Sequence, residues 1–247
     1  MAITDKLTAI ADAIRAKTGK TNLLNMEDMA VEQDAVFDAG KAAGTDAFWD
    51  VVQDNGNRTM YNHAFSCWGH EYIRPKYKLV ASYVNDANTI FAHAKVKKVE
   101  AAYFDFSQKP TGTNNNSGYN YTFYNCTELE EIEDIGLVPQ YTYVYTFANC
   151  AKLRKIAKIG VDENTRFSNA FQGCYELRDL VVDGVIGQNG FSVINSTKLT
   201  HDSLMSIINC LETKTSGTWT VTLGATNLAK LTDAEKAIAT QRGWTLA

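Results

Sequence analysis

A 24-residue periodicity in the middle of the chain limits its folding most. The segments YTFYNCTELEEIEDIG from Tyr121, YTFANCAKLRKIAKIG from Tyr145 and NAFQGCYELRDLVVDG from Asn169 align without a gap. Five columns hold through all three copies: Phe123, Phe147 and Phe171; Cys126, Cys150 and Cys174; Leu129, Leu153 and Leu177; Ile132, Ile156 and Leu180; Gly136, Gly160 and Gly184. Degenerate copies flank them. Val96 and Val99 take the Leu and Ile columns of FAHAKVKKV, with one residue deleted, and Ser196 and Leu199 take the Cys and Leu columns at a step of 22. The YNHAFSCW segment around Phe65 reads as an earlier relative, and SQKPTGTNNNSGY, ending at Tyr119, reads as an inserted surface loop.

A unit this short cannot bury its own apolar face, so neighbouring units must stack and share a core. Each unit is predicted to be one coil, with a turn at the column glycine and inward residues forming ladders at roughly the 4.8 Å strand spacing. The charges agree with stacking in register. The residue before the Leu column runs Lys95, Glu128, Lys152, Glu176, Lys198, and the residue two places after that column runs Lys98, Glu131, Lys155, Asp179. Alternating signs on adjacent coils attract, at roughly 0.2–1 kcal/mol per pair. Glu130, Glu131 and Asp134 are expected to meet Arg154, Lys155 and Lys158 of the next coil in the same way.

The pattern Phe-x-x-Cys-x-x-Leu-x-x-Ile, with glycine four residues after the Ile, resembles the BspA-type leucine-rich repeat, a bacterial surface class whose coils carry short strands and little helix. The resemblance covers about Phe91 to Leu199. The insertion before Tyr119, Asp183 in place of the ladder isoleucine, and Ser196 in place of cysteine depart from it. ITDKLTAIADAIRAKTGKT and LTDAEKAIATQRGWTLA are similar to terminal segments of repeat and fibre proteins of gut-bacterial prophages. The resemblance implies attachment of the N-terminal helices to a virion or to sister chains.

The expected fold is therefore α+β: a β-rich, leucine-rich-repeat-like solenoid over 55–200, clearest in 121–184, between N-terminal helices (1–54) and a small α/β C-terminal cap (201–247). Ile3, Leu7, Ile10 and Ile14 lie on one helical face, with Thr4 as cap and Gly19 as terminator, and a second helix is expected over Glu32 to Asp54. Helical periodicity also covers His201 to Leu211, a strand pattern covers Trp219 to Leu223, and Thr232-Asp233 opens a helix that Gly243 ends.

Composition excludes other classes. At 45% hydrophobic residues and a net charge of −4 the chain can build a core. No window approaches the roughly 18 uninterrupted apolar residues of a membrane span, and no basic face suits nucleic acid. Charged residues interrupt what would have to be a signal sequence, so the thiols are expected to stay reduced.

No catalytic constellation emerges. Gly19-Lys20-Thr21 matches half a phosphate-binding loop, but Ile14 stands where the loop needs glycine. His63, Cys67 and His70 lack the second ligand pair that zinc needs. The cysteine column reads as buried free thiols. No cofactor and no metal are expected. The best contact candidates are tyrosines at strand period, Tyr141, Tyr143 and Tyr145 in one coil and Tyr119 and Tyr121 in the previous one. These aromatic columns read either as half-buried ladders packing the solenoid wall, with Phe167 continuing the Tyr143 column, or as an exposed stripe. An exposed stripe would suit a protein or glycan, because a tyrosine packs along its ring and bonds through its hydroxyl. The leading expectation is a non-enzymatic binding or adhesion protein, on a phage particle or bacterial surface, reaching it without a signal peptide. The alternative is a structural spacer that oligomerises through 1–54. A remoter one is an enzyme with a site in 55–90.

Overall fold

In the computed structural model, the described residues are 59–60, 64–69, 71–75, 78–81, 89–107, 118–139 and 141–247. The N-terminal helices expected over 1–54 lie outside them. By its contacts the chain divides into two units, Met1–Arg58 with Arg74–Leu79, and Thr59–Ile73 with Val80–Ala247; the repeat columns all belong to the second.

Successive repeats pair in parallel at the step the columns predict. Four short strands, β3 (Lys98–Val99), β5 (Glu131–Ile132), β7 (Lys155–Val161) and β9 (Asp179–Gly184), form one parallel sheet in the order β3-β5-β7-β9. Its register sets Val99 opposite Ile132, Ile132 opposite Ile156, and Ile156 opposite Leu180, so the Ile column is one rung per strand. A second parallel pair joins β6 (Thr142–Val144) to β8 (Arg166–Ser168), with Tyr143 opposite Phe167. At the N-terminal end, β1 (Thr59–Met60) pairs in parallel with β2 (Leu79–Ala81), and β4 (Phe104–Asp105) completes that sheet.

The core between the sheets is a set of ladders. Phe65, Phe91, Phe123, Phe147 and Phe171 are buried and stack ring on ring, with centroids 5.4, 5.3, 5.6 and 5.4 Å apart in turn and planes within 21°. These offset stacks lie in the favourable range for aromatic pairs. The step from Phe91 to Phe123 spans the insertion, yet its rings stack like the others. Beside the phenylalanines, the thiols of Cys126, Cys150 and Cys174 are buried and free. They donate to the carbonyls of Phe91, Phe123 and Phe147 at 2.9, 3.0 and 3.0 Å. Each thiol therefore ties its repeat to the one before. In the last repeat the Ser196 hydroxyl substitutes, donating to Cys174 O at 3.0 Å.

The charged face matches the expected pairing. Lys152 meets Glu128 at 2.6 Å, Lys155 meets Glu131 at 3.0 Å, Lys158 meets Asp134 at 3.0 Å, and Arg154 bonds Glu130 and Lys198 bonds Glu176. Lys98 reaches Glu131 at 3.3 Å and Glu133 at 2.6 Å.

Two expectations need correction, one about the glycine column and one about Asp183. Gly160 makes no turn; it lies inside β7, where an added Cβ would sit 2.6 Å from Leu137 O and 2.8 Å from Pro139 Cδ. Close approach of two backbones, not a left-handed φ, demands glycine there. Further on, β7 takes three steps from Ile156 to Ile159 while β9 takes two from Leu180 to Val182. This one-residue bulge brings Val182, buried at 4% exposure, opposite Ile159 and sends Asp183 outward opposite Gly160. The ladder residue is thus Val182, and Asp183 replaces nothing.

The C-terminal segment closes the sheet edge. Helix α1 (His201–Asn209) is capped by Thr200, whose side chain accepts from Ser203 N. It lies along β9, and two of its serines take the place of a further strand. Leu180 N–H donates to Ser203 Oγ at 2.9 Å and Val182 N–H to Ser206 Oγ at 2.8 Å, while those hydroxyls donate to Arg178 O and Val182 O. Strand β10 (Trp219–Val221), the short helix α2 (Ala225–Leu228), helix α3 (Asp233–Gln241) and strand β11 (Trp244–Leu246) follow. α3 starts in a capping box between Thr232 and Glu235, and β10 pairs in parallel with β11. The expected helices and β10 are present; α2 and β11 were not anticipated, because a four-residue helix and a three-residue strand carry too little periodicity to read.

Candidate functional site

The five candidate tyrosines divide into three environments. Tyr119 and Tyr143 are fully buried and stand in one ladder with Phe167 and Phe191. Centroids in that ladder are 5.1, 5.4 and 4.8 Å apart. Their phenols are satisfied internally, Tyr119 Oη donating to Phe106 O at 3.0 Å and Tyr143 Oη to Gly160 O at 2.9 Å. Burial pushes the Tyr143 phenol well above its ordinary range. Tyr119 and Tyr143 are therefore corrected from contact residues to core residues, their hydroxyls held by main-chain carbonyls inside the core.

Tyr121 and Tyr145 occupy another column at the surface. Their rings stack at 5.3 Å with planes 10° apart, and Tyr121 is 37% exposed. Tyr124 stands edge-on to both, at 5.5 and 6.3 Å, and His93 stands edge-on to Tyr124 at 5.4 Å. Amides frame the patch: Asn169 Nδ2 donates to Tyr145 Oη at 2.9 Å, and Asn125 Nδ2 lies 3.0 Å from His93 Nδ1. Tyr141, 40% exposed, sits at the opposite end of β6 from Tyr145. An extended segment of that length separates the two by roughly 13 Å.

The backbone explains how this patch is built. Each repeat turns its corner through two left-handed residues, one two places before the Phe column and one two places after it. The first column holds Thr89, Tyr121, Tyr145 and Asn169 (φ 62, 55, 50 and 52°); the second holds His93, Asn125, Asn149 and Gly173 (φ 63, 58, 62 and 74°). The corner is held by backbone bonds to the next repeat: Tyr121, Phe123 and Asn125 donate to Val144 O, Thr146 O and Ala148 O at 2.9, 2.8 and 2.8 Å. Asparagine and glycine are the residues that adopt this conformation cheaply, and a tyrosine there costs roughly 1–2 kcal/mol. The second column follows that preference in three of its four members; the first puts tyrosine at two of its four. A strained residue retained in consecutive repeats points to what its side chain does rather than to folding.

Sequence reading missed Tyr124, His93, Asn125 and Asn169. The signal was present in the Asn125, Asn149 and Gly173 column directly before the cysteines, which marks a left-handed corner and hence an outward turn of its neighbours.

The remaining site readings are brief. Of His63, Cys67 and His70, only Cys67 is among the described residues; its thiol is exposed, and the histidines lie outside. Among the described residues no group of three or more His, Cys, Asp or Glu side chains could hold a metal, and no helix is long and apolar enough to cross a membrane. Compared with protein-family models, curated proteins and solved structures, the chain matches none.

Proposed function

We propose that the chain is a BspA-type leucine-rich-repeat solenoid that acts as a non-enzymatic binding or adhesion protein, contacting a protein or glycan from a phage particle or bacterial surface. The observation that supports this reading is the outward pair of stacked tyrosines, Tyr121 and Tyr145, held in left-handed backbone where asparagine would cost less. Two parallel rings edged by Tyr124 and by the amides of Asn125 and Asn169 offer flat apolar area with hydrogen-bonding groups at its border. That combination suits the mixed apolar and hydroxylated faces of sugars and of aromatic-rich protein surfaces.

The test is a double substitution, Tyr121→Asn with Tyr145→Asn, read by glycan-array and whole-cell binding. Removing both rings is expected to lower binding at least tenfold while the melting temperature stays within a few degrees, because relief of strain offsets the lost ring contact. Unchanged binding by the folded double variant removes the tyrosine patch as the contact surface.

A further inference from the structure

A second surface feature, at the other end of β6, has a different chemistry. Tyr141, Asn164, Arg166 and Gln188 line a recess of about 100 Å³, contributed by three successive repeats. Asn164 and Gln188 stand one repeat apart. Their amide nitrogens are already engaged with Glu163, Asn164 Nδ2 on Oε1 at 3.2 Å and Gln188 Nε2 on the main-chain oxygen at 2.9 Å. Their carbonyl oxygens remain to accept.

Arg166 is exposed, and among the described residues its guanidinium has neither a carboxylate nor a hydrogen-bond partner. Its counterparts on the charged face do not share this: Arg154 bonds Glu130, and Arg178 lies 3.7 Å from Glu176. The reason is positional. Register puts Thr142 beside Arg166, and 24 residues further on stands Gly190, so the alternation of sign that pairs the other face never reaches it. Among the described residues, the buried hydroxyl of Thr142 has no hydrogen-bond partner. An unpaired planar cation, an aromatic ring and two amide acceptors therefore meet in one small concavity.

We infer that this recess binds a carboxylated sugar residue, a uronic or sialic acid unit of an acidic glycan. The inference rests on the proposed binding function and names a ligand class for a subsite separate from the Tyr121 and Tyr145 patch. The guanidinium fork takes the sugar carboxylate through two parallel bonds, which lysine cannot do. The Tyr141 ring packs on the apolar face of the pyranose. The amide oxygens of Asn164 and Gln188 accept from the ring hydroxyls. The Glu163 carboxylate, bonded to Asn164 Nδ2, disfavours a ligand that is anionic throughout, whereas an acidic sugar presents its charge at one end and its hydroxyls at the other.

The experiment is amide chemical-shift titration of the full chain with sodium glucuronate and, separately, sodium N-acetylneuraminate. Glucose and an acetylated glutamate amide are the controls. At least one of the two acids should shift Tyr141, Thr142, Arg166 and Gln188 saturably, and more tightly than glucose by a factor of at least ten. Arg166→Gln should abolish that preference, and Arg166→Lys, which keeps the charge but not the fork, should weaken it several-fold. Raising sodium chloride from 50 to 300 mM should weaken the acid and leave glucose unchanged. Three results overturn the inference: no shift at these residues with either acid, an equal response to glucose, or an Arg166→Gln protein that still prefers the acid. A response to the glutamate amide but to neither sugar reassigns the recess to an acidic peptide and overturns it as well. Failure here, with array binding still dependent on Tyr121 and Tyr145, discards the acidic-sugar subsite and leaves the proposed function standing.

Discussion

A thiol that donates to a main-chain carbonyl inside a dry ladder has no stabilised anion to fall back on. Burial pushes Cys174 up to about 12 and Cys150 well above its usual value, so neither forms the reactive thiolate near neutrality. Native protein treated with iodoacetamide at pH 8 should therefore be alkylated at the exposed Cys67 and spared at Cys126, Cys150 and Cys174, as read by peptide mass mapping. Rapid labelling of Cys150 before unfolding would show that the ladder opens. Gly160 makes a complementary demand on its site. Gly160→Ala should destabilise by about 2–3 kcal/mol in urea unfolding, because the new methyl meets backbone rather than a flexible side chain. The cysteine column was readable as packing from its period alone. The role of Gly160 was not, because a repeated glycine looks alike whether it serves a turn or a close crossing.

Among the elements, α1 has the most exacting task. β9 would otherwise present unpaired N–H groups at the sheet edge, the usual template for unwanted strand addition. Ser203 and Ser206 meet that need from a helix, through side chains spaced three apart on one face. Ser203→Ala with Ser206→Ala should cost about 2–4 kcal/mol in urea unfolding, since two N–H groups lose their partners. Size-exclusion chromatography should also show added association through the freed edge. If the double variant unfolds like the parent, the hydroxyls are incidental. The helix itself was predicted from Leu204, Ile207 and Ile208, yet the serine contacts were invisible: hydropathy reports which face is buried, not which hydrogen bonds the other element lacks. The tyrosine strand shows the same limit. The 24-residue step placed Phe167 in the Tyr143 column, but the left-handed corners at Tyr121 and Tyr145 break the strand alternation and turn those rings outward.

At the scale of the whole molecule, the ion pairs link stability to pH. Hydrogen bonding to Lys155 lowers the Glu131 carboxyl, hydrogen bonding to Lys98 lowers that of Glu133, and hydrogen bonding to Lys198 lowers that of Glu176. Groups lowered on folding stabilise fully above the ordinary carboxylate range, and that contribution fades as pH falls through the lowered values. The melting temperature should thus be level near neutrality and decline below about pH 4.5, the ordinary value for these carboxyls. These side chains are partly exposed, so 1 M salt should reduce the dependence, and Glu131→Gln should lower the neutral-pH midpoint by only about 1–2 °C. Scanning calorimetry across pH and salt would expose an error in sign at once. The alternation of charge was the most informative long-range signal in the sequence, since it correctly paired residues 24 positions apart.

The extra residue between Ile156 and Ile159 can be described as a crystallographer describes a stacking fault. On its N-terminal side the units repeat by one lattice translation, with Glu131 over Lys155; across it the translation is one residue shorter. A unit copied from residues 121–144 and inserted beside its parent stays in phase with everything below it. Beyond the strand the 24-residue step is restored, with Phe167 against Phe191 and both buried. The fault is therefore healed inside a single unit: it sends Asp183 outward and leaves the units on either side in phase.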